Sequence, residues 1–175
     1  MPDSTIEAIH RLQAAGVKVL ICTGRAPSQM HVVLDTMPVT FDGVVAFNGQ
    51  YCFDDTGFFA SQALDTADIE VILDWLDRHP DVVCNFGEKD YVYFNQSNDL
   101  LRATWSKLGK TAPTRYFEDP RTRALDHETF QISPFVGPEL EAELVGLCSN
   151  VRGVRWHPAV SYTHLRAHET VLDLV

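Results

Sequence analysis

The chain has 175 residues, 45% of them hydrophobic and 22% charged, which suits one globular domain or two small ones. Its formal charge of −10 repels polyphosphate and acidic lipid, so neither a nucleic acid nor a membrane is an expected partner. Apolar runs such as residues 19–22 fall far short of the roughly 20 residues of a bilayer span, and no basic flank leads into an apolar stretch at the N-terminus, so the expected location is the cytoplasm.

Ser4 and Glu7 have the S-x-x-E spacing of a capping box, and Ile6, Ile9, Leu12 and Ala15 share one face of a helix that Gly16 ends. The apolar, β-branched run 17–22 predicts a strand buried on both faces, stopping at Thr23-Gly24-Arg25. Pro27 and Ser28 open a second amphipathic segment through Met30, Val33, Leu34 and Met37, closed by Pro38. Residues 43–47 supply another buried strand, ending at Asn48-Gly49. Helix, strand, helix, strand is the rhythm of an open α/β sheet. A hairpin follows over 51–60 around Asp54-Asp55-Thr56-Gly57. Ile69, Ile72, Leu73 and Leu76 mark a helix over 66–78, and 82–86 and 91–94 are strand-like. Residues 100–108 predict a helix, 130–135 a strand, 138–148 a helix opening on Pro138, and 151–156 a last strand. This second stretch reads as an α+β module without internal repeats or a low-complexity linker.

The four cysteines, Cys22, Cys52, Cys84 and Cys148, lack C-x-x-C spacing and read as free thiols. His10, His31, His79 and His127 share no ligand spacing. Glu139, Glu141 and Glu143 read as solvated helix positions, and Trp75, Trp105 and Trp156 as core aromatics rather than stacking platforms. Residues 160–175 resemble a translated transposase mosaic-end sequencing adapter, so they are set aside from functional reasoning, together with the His164/His168/Glu169 spacing that imitates a metal motif.

Thr23-Gly24-Arg25 lies where a strand ends and a helix is about to begin, the position at which open α/β sheets bind ligands. A hydroxyl, free backbone N–H groups and a guanidinium there suit a phosphate. The tripeptide alone fits a plain turn with a solvated arginine better than it fits a site. Its context adds more. Ser4-Thr5-Ile6-Glu7-Ala8-Ile9, the run from Ala15 through Thr23-Gly24-Arg25, and Val45-Ala46-Phe47-Asn48-Gly49-Gln50 resemble, in order and spacing, the haloacid dehalogenase superfamily and specifically its Cof-type (class IIB) phosphatases.

That resemblance covers residues 1 to about 159. It implies a partial Rossmann-like α/β core over residues 1–62 and an inserted α+β cap domain over 63–159, with 154–158 similar to the strand that leads out of such caps. It implies that Thr23 is the hydroxyl that holds the transferring phosphoryl group, and that Thr23, Gly24, Arg25, Asn48 and Gly49 bind phosphate or substrate. The implied activity is Mg2+-dependent hydrolysis of small phosphorylated metabolites, sugar phosphates foremost, through an aspartyl-phosphate, with no protein partner implied. The family's D-x-D-G-T nucleophile segment, its third-motif lysine and its G-D-x-x-x-D metal segment are missing from the chain. The chain therefore reads as an inactive fragment without catalytic residues or metal ligands of its own. Asp54-Asp55-Thr56-Gly57 is no substitute, because its acids are adjacent and sit in a turn. A non-catalytic α/β phosphate-binding or regulatory module is the alternative, and substrate contacts from residues 86–93 are expected without a residue assigned.

Overall fold

The computed structural model describes residues 1–109, 112–148, 151–155 and 163–167. Helix α1 (Asp3–Ala14) starts one residue before Ser4, which therefore lies inside the first turn and cannot cap; Pro2 is the N-cap and makes no side-chain hydrogen bond. Its C-terminus follows expectation. Gly16 adopts φ 79, and the N–H groups of Gly16 and Val17 return to the carbonyls of Gln13 and Leu12 at 2.9 and 3.0 Å.

Strand β1 (Leu20–Cys22) pairs in parallel with β2 (Gly43–Ala46), and β3 (Tyr51–Asp54) and β4 (Gly57–Ser61) continue the sheet antiparallel in the order β1-β2-β3-β4. The expectation that the first strand is buried on both faces is corrected: β1 is an edge strand with Leu20 40% exposed and Cys22 exposed, and α1 buries no residue. The second helical segment is also shorter than expected, a single 3-10 turn at Pro27–Gln29 followed by α2 (His31–Leu34). Met37 precedes Pro38, a position that disfavours helical backbone, which stops the helix early.

Asp42 joins the parts of this unit. Its Oδ2 accepts from the Val19 N–H at 2.8 Å and from Gln13 Nε2 at 3.1 Å, and Lys18 Nζ lies 3.4 Å from Oδ1. The Val19 N–H and then the Gln13 amide hold its carboxyl below the usual carboxylate range. A depressed folded pKa stabilises the fold above the unfolded pKa and ceases to do so as pH falls through the folded value. Asp42→Asn is therefore expected to flatten the loss of melting temperature below about pH 5, measured by thermal melts across pH; an unaltered acid limb would remove Asp42 from that role.

The second unit is built on α3 (Thr66–Arg78), which has the boundaries its periodicity predicts. Strands β5 (Cys84–Glu88), β6 (Val92–Phe94), β7 (Tyr116–Phe117), β8 (Thr129–Pro134), β9 (Val151–Arg155) and β10 (Thr163–Ala167) form a sheet in the order β7-β6-β5-β8-β10-β9. Ile69, Ile72, Leu73, Trp75 and Leu76 of α3 pack with Phe86, Tyr93 and Ile132 of the sheet and Leu144 of α6 (Pro138–Leu147). Trp75 is fully buried as expected, and its indole N–H donates to Glu143 at 3.0 Å, a residue that is solvent-exposed as expected and also serves as this partner. Helix α4 (Asp99–Leu108) joins a separate cluster with Val83, Phe94, Leu101 and Phe135, Trp105 packing beside them. Helix α5 (Pro120–Asp126), not foreseen from sequence, starts where Asp119 accepts from the Arg121 N–H at 3.0 Å, and its Arg123 pairs with Glu88 at 2.6 and 2.7 Å.

Thr163–Ala167 falls in the adapter-like stretch, yet its backbone pairs antiparallel with both β8 and β9. Each of those strands otherwise presents an open ladder edge, and main-chain pairing of this kind asks little of the sequence that fills it. Trp156 and His168 lie outside the described residues. Among the described residues no helix is long and apolar enough to cross a membrane.

Candidate phosphate site

The residues after β1 and after β2 are zipped together. Thr23 N–H donates to the Val45 carbonyl at 2.9 Å, Asn48 N–H to the Thr23 carbonyl at 2.9 Å, and Phe47 N–H to the Arg25 carbonyl at 3.1 Å. The Thr23 hydroxyl oxygen accepts from the Arg25 N–H at 3.1 Å, which fixes the hydroxyl at the strand end. Among the described residues the Gly24 N–H has no hydrogen-bond partner. A Cβ on Gly24 would come within 3.1 Å of the Asn48 carboxamide oxygen, so glycine is what lets the two loops close on each other.

Phe47 and Asn48 both hold left-handed backbone, φ 51 and φ 57. Asparagine tolerates that region; a phenylalanine there costs about 1–3 kcal/mol and persists only where its surroundings hold it. The holding contacts come from the second unit. The Phe47 ring stacks on Phe130 with centroids 5.6 Å apart, Tyr51 meets Phe130 edge-on at 5.4 Å, and the Phe47 rim lies where a side chain on Gly87 would be. Asn48 Nδ2 donates to Gln131 Oε1 at 3.3 Å, and Gln131 Nε2 to Ser133 Oγ at 3.1 Å, so a polar thread runs from the first sheet into β8.

Between these units lies a cavity of ≈ 250 Å³. Thr23, Gly24, Arg25 and Gln29 form one side, and Asn85, Gln131 and Ser133 the other; Phe94, Trp105, Leu108, Pro113 and Phe135 contribute apolar wall. Among the described residues that line it there is one cation, Arg25, and no carboxylate. In a chain of net charge −10 that lining favours an anion with hydrogen-bond acceptors.

Thr23, Gly24 and Arg25 thus stand together on the cavity. Asn48 backs Gly24 and reaches Gln131, whereas Gly49, with φ 105, is buried behind the loop and its carbonyl accepts from Cys52 Sγ at 3.5 Å. Of the 86–93 region, Phe86 and Tyr93 turn into the helix-side core and Val92 lines the cavity; Asn85 and Phe94, which also face it, lie just outside that region. Trp105, read as a core aromatic, lines the cavity as well. Asp54 is held in an ordinary turn: its Oδ1 accepts from the Thr56 N–H at 2.8 Å and hydroxyl at 2.6 Å.

Magnesium takes oxygen ligands, chiefly carboxylates. The cavity lining offers none, and no cluster of three or more His, Cys, Asp or Glu forms among the described residues, so these residues do not fit the ion.

The family model of the haloacid dehalogenase-like hydrolases matches residues 1–144. This chain belongs to that family. Solved structures share the fold of this haloacid dehalogenase-like chain. BT1666 from Bacteroides thetaiotaomicron, described as a phosphatase of the superfamily, superposes with a TM-score of 0.80 at 23% identity, over 97% of this chain and 61% of that one. BT4131, described as a subclass IIB sugar phosphatase, gives 0.80 at 24% identity, over 97% and 64%. A protein from Geobacillus kaustophilus gives 0.77 at 24% identity, over 97% and 63%. The haloacid dehalogenase-like chain therefore spans about three fifths of the length of these relatives, and its α/β fold matches part of their Rossmann-like core. A search of the curated proteins finds no match.

Proposed function

We propose that the chain is part of a phosphoric monoester hydrolase acting on small phosphorylated metabolites, with sugar phosphates the leading class. The carrying observation is the cavity at the β1 end, which offers the Thr23 hydroxyl, the Gly24 N–H and the Arg25 guanidinium and, among the described residues that line it, no carboxylate. In this reading Thr23 and Gly24 hold two oxygens of the phosphoryl group and Arg25 offsets its charge, while Asn48 and Gly49 shape the loop behind them. Residues 1–62 act as the partial core and 63–159 as the cap that closes over it. The chain is inactive by itself, since it has no D-x-D-G-T segment to attack phosphorus. Magnesium would be held by carboxylates from other parts of the parent enzyme, which works in the cytoplasm without nucleic-acid, membrane or protein partners. The naming of BT4131 as a sugar phosphatase supports the substrate class.

Inorganic phosphate is expected to bind the chain as it stands, read by isothermal titration calorimetry, with affinity lowered about tenfold or more in Arg25→Met, the loss of one charge-assisted contact. No heat of binding, or an arginine variant that binds equally well, would overturn the phosphate reading.

A further inference from the structure

The wall opposite Thr23 is chemically two-sided. Asn85 sits on β5 directly across from Ser133 of β8, and beside Phe94 of β6. Its carboxamide faces the cavity and has no hydrogen-bond partner among the described residues, whereas the neighbouring Gln131 and Ser133 are buried and already bonded to each other. Trp105 supplies the other side. Its indole N–H is taken by the Pro113 carbonyl at 2.8 Å, and it meets Phe94 edge-on at 5.0 Å and 86°. The indole N–H is thus already satisfied, leaving apolar ring surface beside Leu108 and Phe135.

We infer that Asn85 and Trp105 select the alcohol half of the substrate, and that they select a cyclic polyol. This rests on the phosphate reading of the Thr23 loop. A sugar ring has one C–H face and an edge of hydroxyls: the face packs on Trp105 as apolar surface does on an aromatic, and an edge hydroxyl pairs with Asn85. A small acyclic polyol leaves the Trp105 wall wet. A purely hydrocarbon alcohol strands the Asn85 amide, which costs more than the contact it replaces.

The test uses calorimetry on the whole chain with glucose 6-phosphate, glycerol 3-phosphate and inorganic phosphate. Glucose 6-phosphate is expected to bind about tenfold tighter than the other two, and that margin is expected to shrink several-fold in Asn85→Ala and in Trp105→Leu. Melting curves confirm that the variants fold, and Asn85→Ser serves as a milder second variant in which part of the margin returns. Equal affinity for the three phosphates, or a margin that survives both substitutions, would overturn the selection by Asn85 and Trp105 and leave the phosphate site standing. Failure of all three to bind would instead remove the phosphate site, and the inference with it.

Discussion

On the proposed phosphatase reading, Thr23→Ala in the parent enzyme is expected to lower turnover by about two orders of magnitude or more, the loss typical when a donor aimed at the reacting group is removed. The Thr23 hydroxyl is placed by two neighbours rather than by its own rotamer preference: its main chain bridges Val45 and Asn48, and its oxygen caps Arg25. Alanine loses the donor and also frees the Arg25 N–H, so the loop loosens where the anion is to sit. Thr23→Ser keeps the hydroxyl and is expected to retain most of the rate. Steady-state hydrolysis of a sugar phosphate measures both. Unchanged turnover in Thr23→Ala removes the residue from the site, and an equal loss in both variants assigns the effect to the missing methyl group instead.

The second large effect concerns the joint between the two sheets. Gly87→Ala places a Cβ 2.6 Å from Phe47 Cε1 and 3.1 Å from Cζ. Phe47 has little room to yield, being only 2% exposed, stacked on Phe130 and held in left-handed backbone. Overpacking of this kind costs about 1–3 kcal/mol, whereas emptying the same place with Phe47→Ala costs about 3–5 kcal/mol. Denaturant melts should show both, and the pair Gly87→Ala with Phe47→Leu should be less damaging than the sum of the single changes because the smaller side chain gives the new methyl group space. Strict additivity would mean that the two residues do not meet.

Long periodic segments were the most legible part of the fold. Four apolar residues on one face marked α3 to the residue, and Pro138 marked the start of α6. The run 17–22 predicts a doubly buried strand because an apolar sequence reports a preference for burial, not how many neighbours it receives; among the described residues β1 has one. The Ser4–Glu7 box failed for a local reason, since Pro2 let the helix begin first. Helix α5 carried a usable sign, Asp119-Pro120, but seven residues give too little periodicity to show against a loop.

The candidate site divides in the same way. Thr23, Gly24, Arg25 and Asn48 follow strand ends and are visible in a linear reading. Asn85, Gln131, Ser133 and Trp105 meet only through the registers of β5 with β8 and β6 and through the placement of α4. One sign was available: Gln131 and Ser133 flank Ile132 as alternate polar positions in an apolar run, a pattern that makes one face of a buried strand polar.

The neighbours Phe47 and Asn48 couple the joint between the sheets to the cavity wall. One seals the joint by aromatic contact while the next in chain ties its own loop to the opposite wall, so a shift of either is passed to the other. Tyr51 and Phe130 complete that aromatic contact, so damage to the joint and loss of the tie between the walls are expected to arrive together.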